Sequence, residues 1–295
     1  MWTPEFERFV APARARPQLW RLLVGILVIG IVWMLATTGL FAATAFLVGV
    51  AEFEAWLLRL RNGASATGTT MLLYTFGGLV VGTMLAGLLH RRRPATLIGA
   101  AQGRPFLAGL VAVVLVNVLA LAIPSDLPLG PGLEPQIFVT FLPVALVGVL
   151  LQTGAEEIAF RGYLQTQLAA RFRTPVVWFA MPSIVFGALH YAPGEYGTNA
   201  YLVVLVTTLV GLIAADLTRV TGGIGAAWGL HFANNCAAIL VVGSDNLLGG
   251  LSLFRASLDL ADPALAPLIW LDLGLLVLAW GGLRLWFGRR QRTLA

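Results

Sequence analysis

Apolar residues fill this chain in long, nearly unbroken blocks, and the polar ones collect between the blocks. Eight runs stand out, at 19–50, 69–89, 105–123, 137–153, 175–191, 200–217, 224–242 and 265–287. A spanning helix needs about 20 mostly apolar residues. The pattern therefore predicts an all-α fold, a polytopic transmembrane helix bundle with seven or eight spans. The first run is about a helix and a half long, which predicts a tilt, a break near residues 37–39 or an interfacial portion. Helical periodicity adds nothing here, because helices buried in lipid are apolar all round. The proline- and glycine-rich stretch SDLPLGPGLEP at 125–135 reads as an external loop. The opening MWTPEFERFVAPARARPQLW reads as a short polar, arginine-bearing arm without a signal-peptide cleavage pattern.

Composition agrees with the pattern. Hydrophobic residues make up 58%, charged residues 11%, and the mean hydropathy is +0.85, against about 25% charged residues in a soluble domain. All 19 basic residues are arginine; together with the abundance of Ala, Leu and Gly this looks like the codon bias of a GC-rich bacterial genome. A net charge of +5 would suit a nucleic-acid partner. The arginines, however, cluster at the ends of apolar runs, where the positive-inside rule puts them, so no nucleic acid is expected. Arg8, Arg14, Arg16 and Arg21 precede the first run, Arg91 to Arg93 and Arg104 follow the second, and Arg289, Arg290 and Arg292 close the chain. That distribution puts both termini on the cytoplasmic side of a bacterial plasma membrane. Arg59 and Arg61, in what reads as an outside loop at 52–62, fit it least well. The single Cys236 forms no internal disulfide and reads as a small core residue.

Few groups within the apolar segments can do chemistry. They are Glu156, Glu157 and Arg161, then His190, then His231 with Asn234 and Asn235. His90, beside three arginines, reads as an interfacial residue without a chemical role. Glu157 and Arg161 are spaced i,i+4 and share a helix face, so they can pair and leave Glu156 facing elsewhere. Phe186 and His190, and His231 and Asn235, have the same spacing. Taken singly, each histidine or asparagine is an ordinary interhelical hydrogen-bonder, and Glu157–Arg161 an ordinary buried pair. Converging from three helices, they resemble a water-activating site. In one scheme Glu156 is the general base, assisted by His190, while His231 and Asn235 donate hydrogen bonds to a developing oxyanion. In the other, Glu156, His190 and His231 bind Zn²⁺ with one position left for water. The residues serve both schemes, so no cofactor and zinc both stay open.

EEIAFRG (156–162), FGALH (186–190) and HFANN (231–235) fit, in order and spacing, the EExxxR, FxxxH and HxxxN motifs. In this the chain resembles the CPBP family, which takes in type II CAAX prenyl endopeptidases and bacteriocin-processing proteins and is also called the Abi domain. The likeness covers about residues 148–238. It implies an intramembrane endopeptidase, of glutamyl or metallo type. Glu156 and His190 would activate water, His231 and Asn235 would stabilise the oxyanion, and Glu157, Arg161 and Phe186 would support the site. The expected partners are a membrane-anchored protein or peptide and the lipid bilayer. It also implies a division into N-terminal helices of unassigned role (1–145), a catalytic core (146–242) and a C-terminal loop with the last helix (243–295). The competing readings are a catalytically silent peptide-binding, immunity or regulatory protein and a proton-coupled transporter. No matching interrupted helices in the two halves support the transporter. One difficulty accompanies the main reading: Glu156 and His190 fall at different depths unless 157–172 and 175–190 form a helical hairpin.

Overall fold

A computed structural model describes residues 2–61, 63, 65–123, 128–244, 248–257 and 259–293. Residues 125–127 of the expected external loop lie outside that set. Twelve α-helices carry the described fold. The first four are α1 (Pro4–Val10), α2 (Leu19–Val48), α3 (Val50–Arg61) and α4 (Ala66–Leu89). Next come α5 (Gly103–Ala120), α6 (Pro135–Glu157), α7 (Thr166–Arg171), α8 (Met181–Ala188) and α9 (Pro193–Tyr196). The last are α10 (Ala200–Thr221), α11 (Gly225–Cys236) and α12 (Ala266–Thr293). Three-residue strands β1 (Leu129–Pro131), β2 (Val242–Ser244) and β3 (Phe254–Ala256) form a small sheet in the order β1-β3-β2. The protein is a multi-pass, nearly all-α helix bundle.

Among the described residues, six helical segments are long and apolar enough to cross a membrane. A shorter apolar helix, Val176–Ala188, is the seventh. The remaining run, 224–242, becomes α11 with a π-helical turn at Ala237–Val241. Two details differ from the sequence reading. The first run does not break near residues 37–39; α2 is continuous for 30 residues and ends at Gly49, whose φ of 87° sits in the left-handed region that glycine adopts freely. Residues 52–61, expected as a loop, belong to helix α3. Its glutamates and arginines alternate with Trp and Leu, a pattern that suits a helix lying at an interface.

The longest element decides where the site lies. Pro135–Arg171 is one continuous helical rod of 37 residues, α6 running through a π-helical stretch at Ile158–Gln165 into α7. At 1.5 Å per residue it is about 55 Å long, well beyond a hydrocarbon core of about 30 Å. Its upper end turns back through Val176–Ala188, so the hairpin needed to bring the motifs to one level is present. The N-terminal arm covers that hairpin. Phe6, Phe9 and Val10 of α1 are buried with Trp178, Leu168 and Ala169. The rings of Phe6 and Trp178 lie 4.9 Å apart, those of Trp2 and Trp178 5.5 Å. The arm thus supplies the hydrophobic cover of Trp178 at the centre of the apolar 176–180 segment, and each such large side chain contributes about 1.5–3 kcal/mol by burial.

Candidate active site

Close helix packing sets the positions of the motif residues. At Gly229 of α11 a Cβ would overlap the Phe106 carbonyl oxygen, and at Gly109 of α5 it would overlap the Ala226 carbonyl oxygen. Those contacts seat α11 deep in the bundle, as small residues do in membrane helices. Trp228 then donates from Nε1 to Thr153 Oγ1 (3.2 Å) and the Leu150 carbonyl (3.3 Å), which locks α11 against α6.

The structure brings Glu156, Glu157, Arg161, His231 and Asn235 into one buried polar network. Arg161 Nη1 donates to Glu157 Oε1 at 3.0 Å, as the i,i+4 spacing predicted, and Nη2 reaches the Gly211 carbonyl at 3.3 Å. His231 Nδ1 lies 2.9 Å from the same Glu157 oxygen. An ionised carboxylate only accepts, so Nδ1 carries the proton. The ring then places Nε2 3.5 Å from Glu156 Oε2, a contact that is an ion pair only when both ring nitrogens carry protons. Phe186 is the hub of the remaining contacts. Its ring meets His190 at 4.9 Å and His231 at 6.1 Å, and the Arg161 guanidinium stacks over it at 4.7 Å. His190, one turn on, donates from Nδ1 to the Phe186 carbonyl at 2.8 Å, leaving Nε2 with its lone pair.

One member was missed by the sequence reading. Gln152 donates from Nε2 to Glu156 Oε1 at 2.8 Å, and its Oε1 accepts from Asn235 Nδ2 at 2.9 Å. It joins α11 to Glu156 through a single side chain. Its i−4 position relative to Glu156 is the signal that could have found it. Glu156 Oε2 has no hydrogen-bond partner among the described residues, and nor has Glu157 Oε2. A buried carboxylate oxygen left open in this way needs a reason, such as a water or a substrate.

Glu156 and His190 face a common cavity of about 560 Å³. Its walls are apolar and come largely from the first half of the chain: Ile26, Ile29 and Trp33 of α2, and Phe76 and Leu79 of α4. His231 and Asn235 stand behind Glu156 and do not line it. The cavity roof is Tyr163, whose hydroxyl occupies the space a side chain at Gly25 would need. That hydroxyl bonds His90 Nε2 at 3.1 Å. Seven residues of helix separate Tyr163 from Glu156, so the glutamate lies about 10 Å beneath the arginine-bearing end of α4.

His90 itself, at the end of α4 beside its arginine neighbours, is fully buried. Nδ1 bonds the Arg16 carbonyl at 2.6 Å. Burial holds its pKa below the usual 6.5, and the nearby Arg92 and Arg21 push the same way against the raising effect of the Arg16 carbonyl. Arg92 is also buried, which pulls its pKa down to about 10. It bonds neutral oxygens only: the Gly162 and Thr96 carbonyls and the Thr166 and Thr96 hydroxyls.

Glu156, His190 and His231, the set considered for zinc, do not converge as three ligands in this arrangement. Among the described residues no group of three or more His, Cys, Asp or Glu side chains is placed to hold a metal ion.

Comparison with known proteins meets the same stretch of chain. An uncharacterized protein of Bacillus subtilis (strain 168), YyaK, is 25% identical over 190 residues, covering 64% of this chain and 62% of the relative. The match therefore spans a little under two thirds of that relative's length. No solved structure matches. Residues 138–237 match the family model described as type II CAAX prenyl endopeptidase Rce1-like, a segment that contains all three motifs and every residue of the polar network. The segment that holds the site is thus similar to Rce1-like proteins, consistent with the CPBP family, and the match supports a CAAX protease-like enzyme in general.

Proposed function

We propose that this chain is an intramembrane endopeptidase that hydrolyses a peptide bond of a membrane-associated protein or peptide with a water activated by Glu156 and His190. One observation carries the reading. Glu156 and His190 line a single apolar cavity, and the Glu156 oxygen Oε2 is buried without a partner among the described residues. A water at that oxygen would give up its proton as it attacks the scissile carbonyl. His190 Nε2, its tautomer set by the Phe186 carbonyl, assists. In this reading the oxygen on which charge develops sits on the Asn235 and His231 side of Glu156. It takes the Asn235 amide proton not given to Gln152 and a proton from His231 Nε2, which the ring can give only as an imidazolium because Nδ1 donates to Glu157. The proton held by Glu156 then passes to the leaving nitrogen as the C–N bond breaks. Arg161 offsets the charge of Glu157, and Glu157 holds His231 in place. The site works from the cytoplasmic side of a bacterial plasma membrane, where processing of leader peptides or of membrane-anchored sorting tails suits it.

The test is cleavage of a library of membrane-anchored peptides by the purified chain in detergent. The wild type runs beside Glu156→Gln and His190→Ala, each with and without a strong chelator. Loss of a general base costs about 10²–10⁴-fold, so both variants should fall to near background while chelator leaves the wild type intact. Chelator-sensitive cleavage restored by Zn²⁺ would instead make Glu156, His190 and His231 metal ligands. A wild type no better than Glu156→Gln would move a silent peptide-binding role ahead.

A further inference from the structure

We propose that Gln152 is a positioning residue for Glu156, transmitting the placement of α11 to the general base. This rests on the reading of Glu156 as that base. The amide is buried in α6 and both its ends are engaged. Nε2 donates to Glu156 Oε1 at 2.8 Å, and Oε1 accepts from Asn235 Nδ2 at 2.9 Å. Only a side chain that is donor at one tip and acceptor at the other can make this link, which glutamine does and glutamate or methionine does not. The consequence falls on the other oxygen of Glu156. With Oε1 tied to Gln152, the carboxylate cannot spin, and Oε2 is the atom left without a partner among the described residues.

The neighbours give no substitute for this restraint. Glu157 and Arg161 on the same helix are engaged with each other, and His231 on α11 gives its Nδ1 proton to Glu157. The His231 Nε2 stands 3.5 Å from Glu156 Oε2, too far for a hydrogen bond that would fix the carboxylate as the 2.8 Å bond from Gln152 does. His190 faces Glu156 across the cavity with its Nδ1 already committed to Phe186. The walls from α2 and α4 bring no charged group. The link also spans the 83 residues between Gln152 and Asn235, so a shift of α11 against α6 moves the Glu156 carboxylate.

Two variants separate the halves of the link. Gln152→Glu keeps an acceptor for Asn235 but removes the donor to Glu156; Gln152→Met, of similar length, removes both. Misplacement by about 1 Å costs about 10²-fold in rate. Both variants should lose about 10- to 100-fold in kcat toward the best library peptide with KM changed less than about threefold. In a Glu156→Gln background Gln152→Met should cause no further loss, because Gln152 acts through Glu156. A second readout does not depend on cleavage. In infrared difference spectra of the full chain in detergent, the band lost in Glu156→Gln should move in both Gln152 variants. Unchanged kcat together with an unmoved band, in variants with wild-type helicity, would overturn the inference. If no peptide is cleaved by the wild type, the endopeptidase reading fails first, and a moved band would still establish the Gln152–Glu156 link.

Discussion

Two arginines are buried against the same helical rod, close together along its axis, and their surroundings differ in kind. Arg161 sits among Glu156, Glu157 and His231, a cluster of opposed charges in which two carboxylate oxygens have no partner among the described residues. Arg92 reaches the rod one turn on and meets only carbonyls and hydroxyls, in four contacts that engage all three guanidinium nitrogens. The first arrangement holds charge that is only partly quenched and faces a cavity. The second is closed and fastens the end of α4 to the rod. The contrast teaches that burial of charge does not by itself mark chemistry; an unspent acceptor beside a cavity does.

Breaking each cluster should sharpen the difference. Arg161→Met removes the cation from a buried pair and strands Glu157, which typically costs about 3–5 kcal/mol. Unfolding in detergent by chemical denaturant should show that loss, together with loss of cleavage. Arg92→Met removes a cation that has no anionic partner. Its cost comes from hydrogen bonds to a charged group, about 2–3 kcal/mol, and cleavage should survive wherever the protein stays folded. An equal cost for both, or inactivity of folded Arg92→Met, would erase the distinction. The smallest effect belongs to His90, in the second cluster. Its folded pKa lies below the unfolded value of about 6.5, so its contribution to stability is complete above that pH. It is lost as the pH falls below 6.5 toward the folded value, because the unfolded chain then binds the extra proton. The melting temperature should decline on acidification through that window, and His90→Gln should flatten the decline.

The bundle was legible from the sequence because lipid imposes a length rule, and all eight apolar runs became helices or helical turns. The Glu157–Arg161 pair was legible as well, since i,i+4 spacing on one helix leaves little else for the two side chains to do. The hairpin that aligns Glu156 with His190 could be inferred as a necessity, although what shelters its apolar tip could not. Phe6, Phe9 and Val10 look like isolated apolar residues in a polar arm until Trp178 is opposite them. Gln152 was hidden for a different reason. A glutamine at the end of an apolar run is common helix glue, and its meaning depends on Asn235, 83 residues away. The contribution of α2 and α4 to the cavity was unreadable too, because helices apolar on every side carry no mark of which face they turn inward.

The rod that outruns the bilayer has one more implication, for the shape of whatever chain reaches it. From the level of His90 and Tyr163 down to Glu156 is about 10 Å. An extended strand covers that descent in about three residues at about 3.3 Å each, whereas a helix needs about seven. A helical backbone keeps its carbonyls tied to its own amides, out of reach of any water. On the proposed endopeptidase reading, a chain cleaved at Glu156 meets it as a short, straightened tail, and a membrane helix would first have to come undone there.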